Sequence, residues 1–210
     1  MKIIVLSKRS FTIFEIVVVL IISSIIISIS NFTPKTYHNS LDLAINQLKA
    51  HLQLTRDIAL KDDKFDEENP IWFRARWTLK FRYCKDRSGI YYIIYSDKNG
   101  KGHPNKYESI KDPLTHKYLY SSYDCEPSQD ESKYILLSKT YNIDDVKISC
   151  NHTSTIGQIS FGNDGTPYYK LSTDPDKLYE YTLKKVCEIK LFSKDKTRSI
   201  YIEPITGYIY

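Results

Sequence analysis

One apolar segment near the start of the chain constrains its fold more than any other feature. Phe11 to Ile29 is almost wholly apolar, whereas everything after Asn31 is mixed and polar. The part without any charge, Ile16 to Ile29, is short for a membrane span and suits the core of a signal peptide. Adding Phe11 to Phe14 lengthens the run but includes Glu15. A carboxylate in hydrocarbon costs about 2.5–3.5 kcal/mol, so Glu15 needs a functional explanation.

The charge of the chain is concentrated in front of this segment. The formal net charge is +5, and it falls to +2 without Lys2, Lys8 and Arg9. The basic balance is therefore weak evidence for a nucleic-acid partner. Lys8 and Arg9 predict that the N-terminal side stays in the cytoplasm while the rest of the chain is exported. With 41% hydrophobic residues and few Gly and Pro, 210 residues suffice for a folded core rather than a disordered chain.

Three interpretations of the segment compete. It is an ordinary signal anchor with Glu15 near the interface, or a secretory signal cleaved after Ser28-Ile29-Ser30, which has the small-x-small pattern of a peptidase site. In the third interpretation, which we favour, the string from Lys8 to Ile22 resembles the class III leader of type IV pilins and type II secretion pseudopilins.

The resemblance implies specific processing. Residues 1–10 would be a leader, a prepilin peptidase would cut between Ser10 and Phe11, and the new N-terminal Phe11 would be methylated. Glu15 would then be the family's acid at mature position five. In a bundle of such subunits, the Glu15 carboxylate of one chain can neutralise the Phe11 ammonium of its neighbour. The family usually has Gly where this chain has Ser10.

An amphipathic helix is expected after a break at Pro34. Asn39 or Ser40 can cap its start. Residues at spacing three and four then form one apolar face, which predicts packing on the protein's own sheet: Leu41, Ala44, Ile45, Leu48, Leu52, Thr55 and Ala59. The charged run 61–70, closed by Pro70, predicts a loop.

From Trp72 to Tyr83 the period changes to two, which predicts a long strand with an apolar face and a basic face. A turn at 86–89 leads to a second strand, Ile90 to Tyr95. Six further strands are expected at Tyr134–Leu137, Val146–Cys150, Gln158–Phe161, Tyr168–Leu171, Val186–Phe192 and Ser199–Glu203.

Three short segments of this half resemble the H-type minor pseudopilins and their fimbrial T-type relatives. They are Gly89–Gly102, Ile159–Phe161 before Asp164-Gly165-Thr166, and Ile200–Ile209. The resemblance implies a pilin-like α+β fold, in which a long N-terminal helix, transmembrane in its first half, packs on antiparallel β-sheets. The implied organisation is a leader (1–10), a transmembrane assembly helix (11–30), an amphipathic continuation and loop (31–69) and a periplasmic β-rich domain (70–210).

The basic face of the long strand is the candidate binding surface, formed by Trp72, Arg74, Arg76, Lys80 and Arg82. Arginine beside an exposed aromatic suits single-stranded nucleic acid. An acidic protein partner is a second candidate, and a solvated sheet face without a ligand is the interpretation we favour.

The segment after the second strand nearly copies the spacing of a calcium loop. Asp97, Asn99 and Glu108 occupy places one, three and twelve, and Gly102 occupies place six. Lys101 puts an ammonium where the fifth oxygen belongs. The sequence therefore favours a Gly-rich hairpin loop over a calcium site, and no other cofactor is expected.

Four cysteines, Cys84, Cys125, Cys150 and Cys187, are widely spaced and include no C-x-x-C, which argues against a zinc knuckle. An even number in an exported domain predicts two disulfides, and the simplest of three pairings joins Cys84 to Cys125 and Cys150 to Cys187. No H-E-x-x-H, G-x-S-x-G or phosphate-binding glycine loop is present, so we do not expect an enzyme.

The resemblance implies a minor pseudopilin acting in initiation or tip assembly of a type II secretion pseudopilus. It would be a single-pass protein of the bacterial inner membrane, with its C-terminal domain in the periplasm. Its partners would be other pilin or pseudopilin subunits, prepilin peptidase and the assembly platform. The alternatives are a minor pilin of a type IV pilus or DNA-uptake machine, and a signal-anchored exported binding protein or enzyme.

Overall fold

The structure, a computed structural model, describes residues 12–30 and 40–210, with the side chains of the first range described up to residue 26. The chain divides into two units, residues 1–37 and 38–210. Within the described ranges the helices are α1 (Ile13–Ser30), α2 (Ser40–Ala59) and α3 (Leu137–Tyr141). The strands are β1 (Trp77–Tyr83), β2 (Ile90–Tyr95), β3 (Asp145–Ile148), β4 (Gly157–Phe161), β5 (Pro167–Tyr168), β6 (Cys187–Ser193) and β7 (Lys196–Ile202).

The expected α+β class with antiparallel sheets is present, but the expected long N-terminal helix is wrong. The first helix has 18 residues and ends at Ser30, and α2 is a separate helix that begins at Ser40. The large apolar side chains that the structure describes on α1 are mostly exposed. Glu15 lies in the first turn, so the charge-free stretch of α1 starts only at Ile16. In the part of the chain that the structure describes, no helix is long and apolar enough to cross a membrane.

The second unit is built on α2. The predicted apolar face is confirmed, because Leu41, Leu48 and Leu52 are fully buried and only Ile45 of the face is partly exposed. The helix contacts β1 and β4 of one sheet and β6 and β7 of the other. The helix therefore packs against both sheets and covers one side of the hydrophobic core that they share.

All pairings in the two sheets are antiparallel. The first sheet has the order β2-β1-β4-β5, and the second has the order β3-β6-β7. The outer edge of β2 is covered, because Ile94 donates to the Leu119 carbonyl and accepts from the Ile110 amide. A sheet edge covered in this way does not recruit a further strand.

Two predicted strand segments are helical instead. Trp72–Ala75 is a 3₁₀ turn, held by hydrogen bonds such as that from the Arg74 amide to the Ile71 carbonyl, so the strand starts only at Trp77. The expected strand Tyr134–Leu137 is also wrong. The Ser132 hydroxyl accepts from the Tyr134 amide and caps a 3₁₀ turn that leads directly into α3.

Candidate assembly and binding sites

The Glu15 side chain, in the first turn of α1, is hydrogen-bonded to Thr12 just before the helix. The Thr12 amide and hydroxyl donate to Glu15 Oε2 at 2.9 and 3.1 Å, and the Glu15 amide donates to Thr12 Oγ1 at 3.3 Å. This reciprocal arrangement is a capping box, which satisfies backbone donors that a helix start otherwise leaves unpaired. The carboxylate therefore has a local structural role. The expected cleavage site at Ser10 and Phe11 lies outside the described residues.

After Glu15, the described side chains of α1 are apolar apart from Ser23 and Ser24. Its large side chains are mostly exposed, with Ile13 and Phe14 at 84% and 76% and Leu20 and Ile26 at 64% and 60%. Glu15 is the one charged side chain of α1. Contiguous exposed apolar surface is typical of protein–protein and membrane interaction sites.

The predicted basic surface is split by the fold, and Arg76 lies inside the protein. Its guanidinium carbon is 4.1 Å from the centroid of the Tyr168 ring and 5.4 Å from that of Trp72, and Nη1 donates to the Leu178 carbonyl. Burial lowers the pKa of Arg76, but not enough to remove its charge. A cation that lies against aromatic rings in this way stabilises the fold.

Lys80 and Arg82 lie on a sheet face that is largely covered. Their cross-strand partners, Ile93 and Tyr91, are fully buried on that face. Burial and the neighbouring Arg82 lower the pKa of Lys80, while Asp97 opposes this shift. These two cations are half-buried, so they do not form an open track for a phosphate backbone.

Arg74 and Trp72 are also half-buried, and both line a cavity of about 260 Å³ together with Asp97 and Asn99. Thus the structure brings two members of the expected basic surface together with two of the calcium candidates. It keeps Arg76 out of this cavity.

Of the three calcium candidates, Asn99 and Glu108 are hydrogen-bonded to each other, whereas Asp97 is hydrogen-bonded to the backbone. Asn99 donates through Nδ2 to Glu108 Oε1 at 2.6 Å, and the Asn105 amide and Nδ2 donate to Glu108 Oε2 at 2.9 and 2.7 Å. Asp97 Oδ2 accepts from the Gly102 amide, whereas Asp97 Oδ1 has no hydrogen-bond partner among the described residues. One open carboxylate oxygen is far fewer than the six to eight that calcium takes.

The described residues hold no cluster of three or more His, Cys, Asp or Glu side chains that could hold a metal ion. All four cysteines form disulfides, as expected. Cys84 pairs with Cys125, and Cys150 pairs with Cys187, with Cα atoms 5.6 and 5.2 Å apart. They close loops of 41 and 37 residues, and each stabilises the fold by about 2–4 kcal/mol.

A buried polar group in the core was missed by sequence reasoning. His51 on α2 places Nδ1 2.7 Å from the Tyr92 hydroxyl and Nε2 2.7 Å from Gln47 Nε2, while Asp112 Oδ2 lies 3.9 Å from Nε2. Burial lowers the pKa of His51 to about 4, against the opposing effect of Asp112, so the imidazole is neutral at pH 7. The only signal was the position of His51 on the apolar face of the helix, between Leu48 and Leu52.

Comparison of the chain with protein-family models, with curated proteins and with solved structures finds no match.

Proposed function

We propose that this chain is a minor structural subunit of a pseudopilin-type filament of a type II secretion system, acting in initiation or tip assembly. The observation that carries the proposal is α1, an exposed apolar helix with a single acid in its first turn. Neighbouring subunits that pack their own apolar helices against α1 would remove this surface from water. Burying apolar surface stabilises such contacts by about 25 cal/mol per Å².

Glu15 would give this packing its register. An acid in an otherwise apolar bundle is costly unless a cation neutralises it, and the ammonium of a subunit processed at Phe11 is the proposed counter-ion. A subunit that slips along the bundle would separate the two charges. The charge of Glu15, rather than its hydrogen bonds to Thr12, would therefore select the assembled position.

The second unit suits an exported domain. Its two disulfides are typical of oxidising compartments such as the periplasm, and they stabilise a domain that meets other minor subunits there. This work is assembly rather than turnover.

The capping box supplies a matched pair of variants to test the proposal. Glu15→Gln keeps an acceptor for the Thr12 amide but removes the charge, whereas Thr12→Ala removes the hydroxyl of the cap but keeps the charge. Both variants would be expressed as full chains in the native host, and the subunit would be measured in the sheared filament fraction. We expect Glu15→Gln to be stable but absent from filaments and Thr12→Ala to be incorporated. Equal incorporation of both would overturn the proposal.

A further inference from the structure

Three tyrosines form a strip on the outer surface of the second sheet. Tyr201 and Tyr210 exchange backbone hydrogen bonds of 3.0 and 3.1 Å, and their rings stack with centroids 5.5 Å apart. Tyr208 stacks on Tyr210 at 6.0 Å. The three side chains are 37–62% exposed. We call Tyr201, Tyr208 and Tyr210 the tyrosine strip; its backbone is hydrogen-bonded to β7 and its side chains are exposed.

Two carboxylates flank the tyrosine strip. Glu188 Oε1 accepts from the Tyr201 hydroxyl at 3.4 Å and pairs with Lys190 at 3.2 Å. At the other end, a hydrogen bond to the Glu203 carboxylate raises the pKa of Tyr210. Lys190 already neutralises Glu188, but no ion pair among the described residues involves Glu203. Aromatic rings beside an unpaired acid attract ammonium and guanidinium groups, because the ring face and the carboxylate both carry negative potential. Glu203 also repels the phosphates of a nucleic acid.

A basic cavity adjoins the strip on the same sheet. Glu188 is the cross-strand partner of Tyr201, and its amide donates to Ser149 Oγ at 2.8 Å. Ser149 in turn lines a cavity of about 580 Å³ together with His152, Lys184, Lys185 and Val186. We call this the lysine cavity. One acid, Glu180, also lines it and accepts from the Ser172 hydroxyl at 3.3 Å.

The lysines of this cavity have no partner of their own in the described chain. Lys184 and Lys185 are exposed, and none of the ion pairs among the described residues involves either of them. Val186 beside them is 43% exposed. The segment 184–186 therefore offers two cations and one apolar side chain, which is the chemistry that the tyrosine strip attracts.

We propose that a second copy of this chain binds here, with its Lys184–Val186 segment seated on the tyrosine strip of the first. Because the strip and the lysine cavity adjoin on one surface, a two-fold axis between the copies makes both contacts at once. This self-complementarity is what a symmetric dimer interface requires. Buried tyrosines are also frequent energetic centres of interfaces. The surface contains no residue of α1, so this pairing goes beyond the proposed function.

Photocrosslinking of the full-length chain tests the pairing. A benzophenone amino acid would replace Tyr208 in a mixture of ¹⁴N- and ¹⁵N-labelled copies, purified in mild detergent. We expect crosslinked peptides of mixed isotope content that join position 208 to the segment containing Lys184–Val186. Lys184→Glu with Lys185→Glu should reduce their yield about tenfold. Lys61→Glu, at an exposed lysine outside the surface, is the matched control and should leave the yield unchanged.

Charge reversal sharpens the test. Glu203→Lys combined with Lys185→Glu should restore part of the yield that Lys185→Glu alone removes. Mixed-isotope crosslinks to another segment, or no intermolecular crosslink at all, would overturn the inference. So would a crosslink that survives both lysine changes but is lost in Glu15→Gln, because the contact would then come from helix assembly. A crosslink to the Lys184–Val186 segment that is lost with both lysine changes and unaffected by Glu15→Gln would support the pairing whether or not filaments form, and one unaffected by all three changes would overturn it.

Discussion

Thr12 and Glu15 pair reciprocally at the start of α1. The Thr12 amide donates to Glu15 Oε2 at 2.9 Å, and the Glu15 amide donates to Thr12 Oγ1 at 3.3 Å. The acid that the sequence marks as costly in an apolar helix thus has a partner within its own first turn. A carboxylate at this position also interacts favourably with the positive end of the helix dipole.

The cap predicts a graded effect on the first turn of α1. Thr12→Ala and Glu15→Ala should each destabilise this turn by about 0.5–2 kcal/mol, whereas Glu15→Gln should cost less because Gln also fits a capping box. Hydrogen exchange of the full chain measures this as faster exchange of the amides in the first turn. If exchange in Glu15→Ala equals that of the unaltered chain, the cap does not stabilise the helix.

The His51 site predicts a loss of stability in mild acid. Folding lowers the pKa of His51 from 6.5 to about 4. Between these two pH values the His51 imidazole is protonated in the unfolded chain and neutral in the folded chain. Stability from this group is fully present above pH 6.5 and is lost as the pH falls towards 4, by about 3 kcal/mol in total.

Urea unfolding of the full chain between pH 7 and pH 4 checks this effect. His51→Gln should lose less stability over the range than the unaltered chain. His103→Gln, at an exposed histidine, is the matched control for the substitution. Parallel curves for His51→Gln and the unaltered chain would show that His51 titrates normally.

We expect the Glu108 side chain to stabilise the fold and added calcium to leave the stability unchanged. The Glu108 carboxylate accepts from the backbone amides and side-chain amides of Asn99 and Asn105. Glu108→Gln replaces an acceptor by a donor that faces these donors, so we expect a loss of about 1–3 kcal/mol. Glu67→Gln, at an exposed acid, is the control.

Thermal unfolding with millimolar calcium and with a chelator completes the test. We expect the midpoint of the unaltered chain to be the same in both solutions. A midpoint that rises with calcium and no longer does so in Glu108→Gln would establish a calcium site instead.

Patterns within one element predicted much of the fold. The spacing from Leu41 to Ala59 identified α2 and its buried face, alternation identified β1 apart from its start, and apolar runs between turn signals identified most later strands. The even number of cysteines predicted two disulfides, and the sequential pairing was preferred only as the simplest of three. The T-x-x-E pattern of a capping box was also present at Thr12 and Glu15, but Glu15 was interpreted as a costly acid and as the counter-ion of Phe11.

What the sequence could not supply depends on contacts between distant segments. Arg76 alternates correctly for an exposed strand position, yet Tyr168 and the carbonyl of Leu178 enclose it. The polar side chain of His51 is tolerated on the apolar face of α2 because it lies against the Tyr92 hydroxyl and near the Asp112 carboxylate. The partners of Arg76 and of His51 cannot be identified from local spacing, because they come from distant parts of the chain.

The most direct test of the central claim is the N-terminus and intact mass of the protein isolated from its native host, with its peptidase present. The pseudopilin proposal predicts a chain that begins with N-methylated Phe11. A chain that begins at Asn31 or still at Met1 would contradict it, because Glu15 would then be removed with a signal or would lack the ammonium that it is proposed to neutralise.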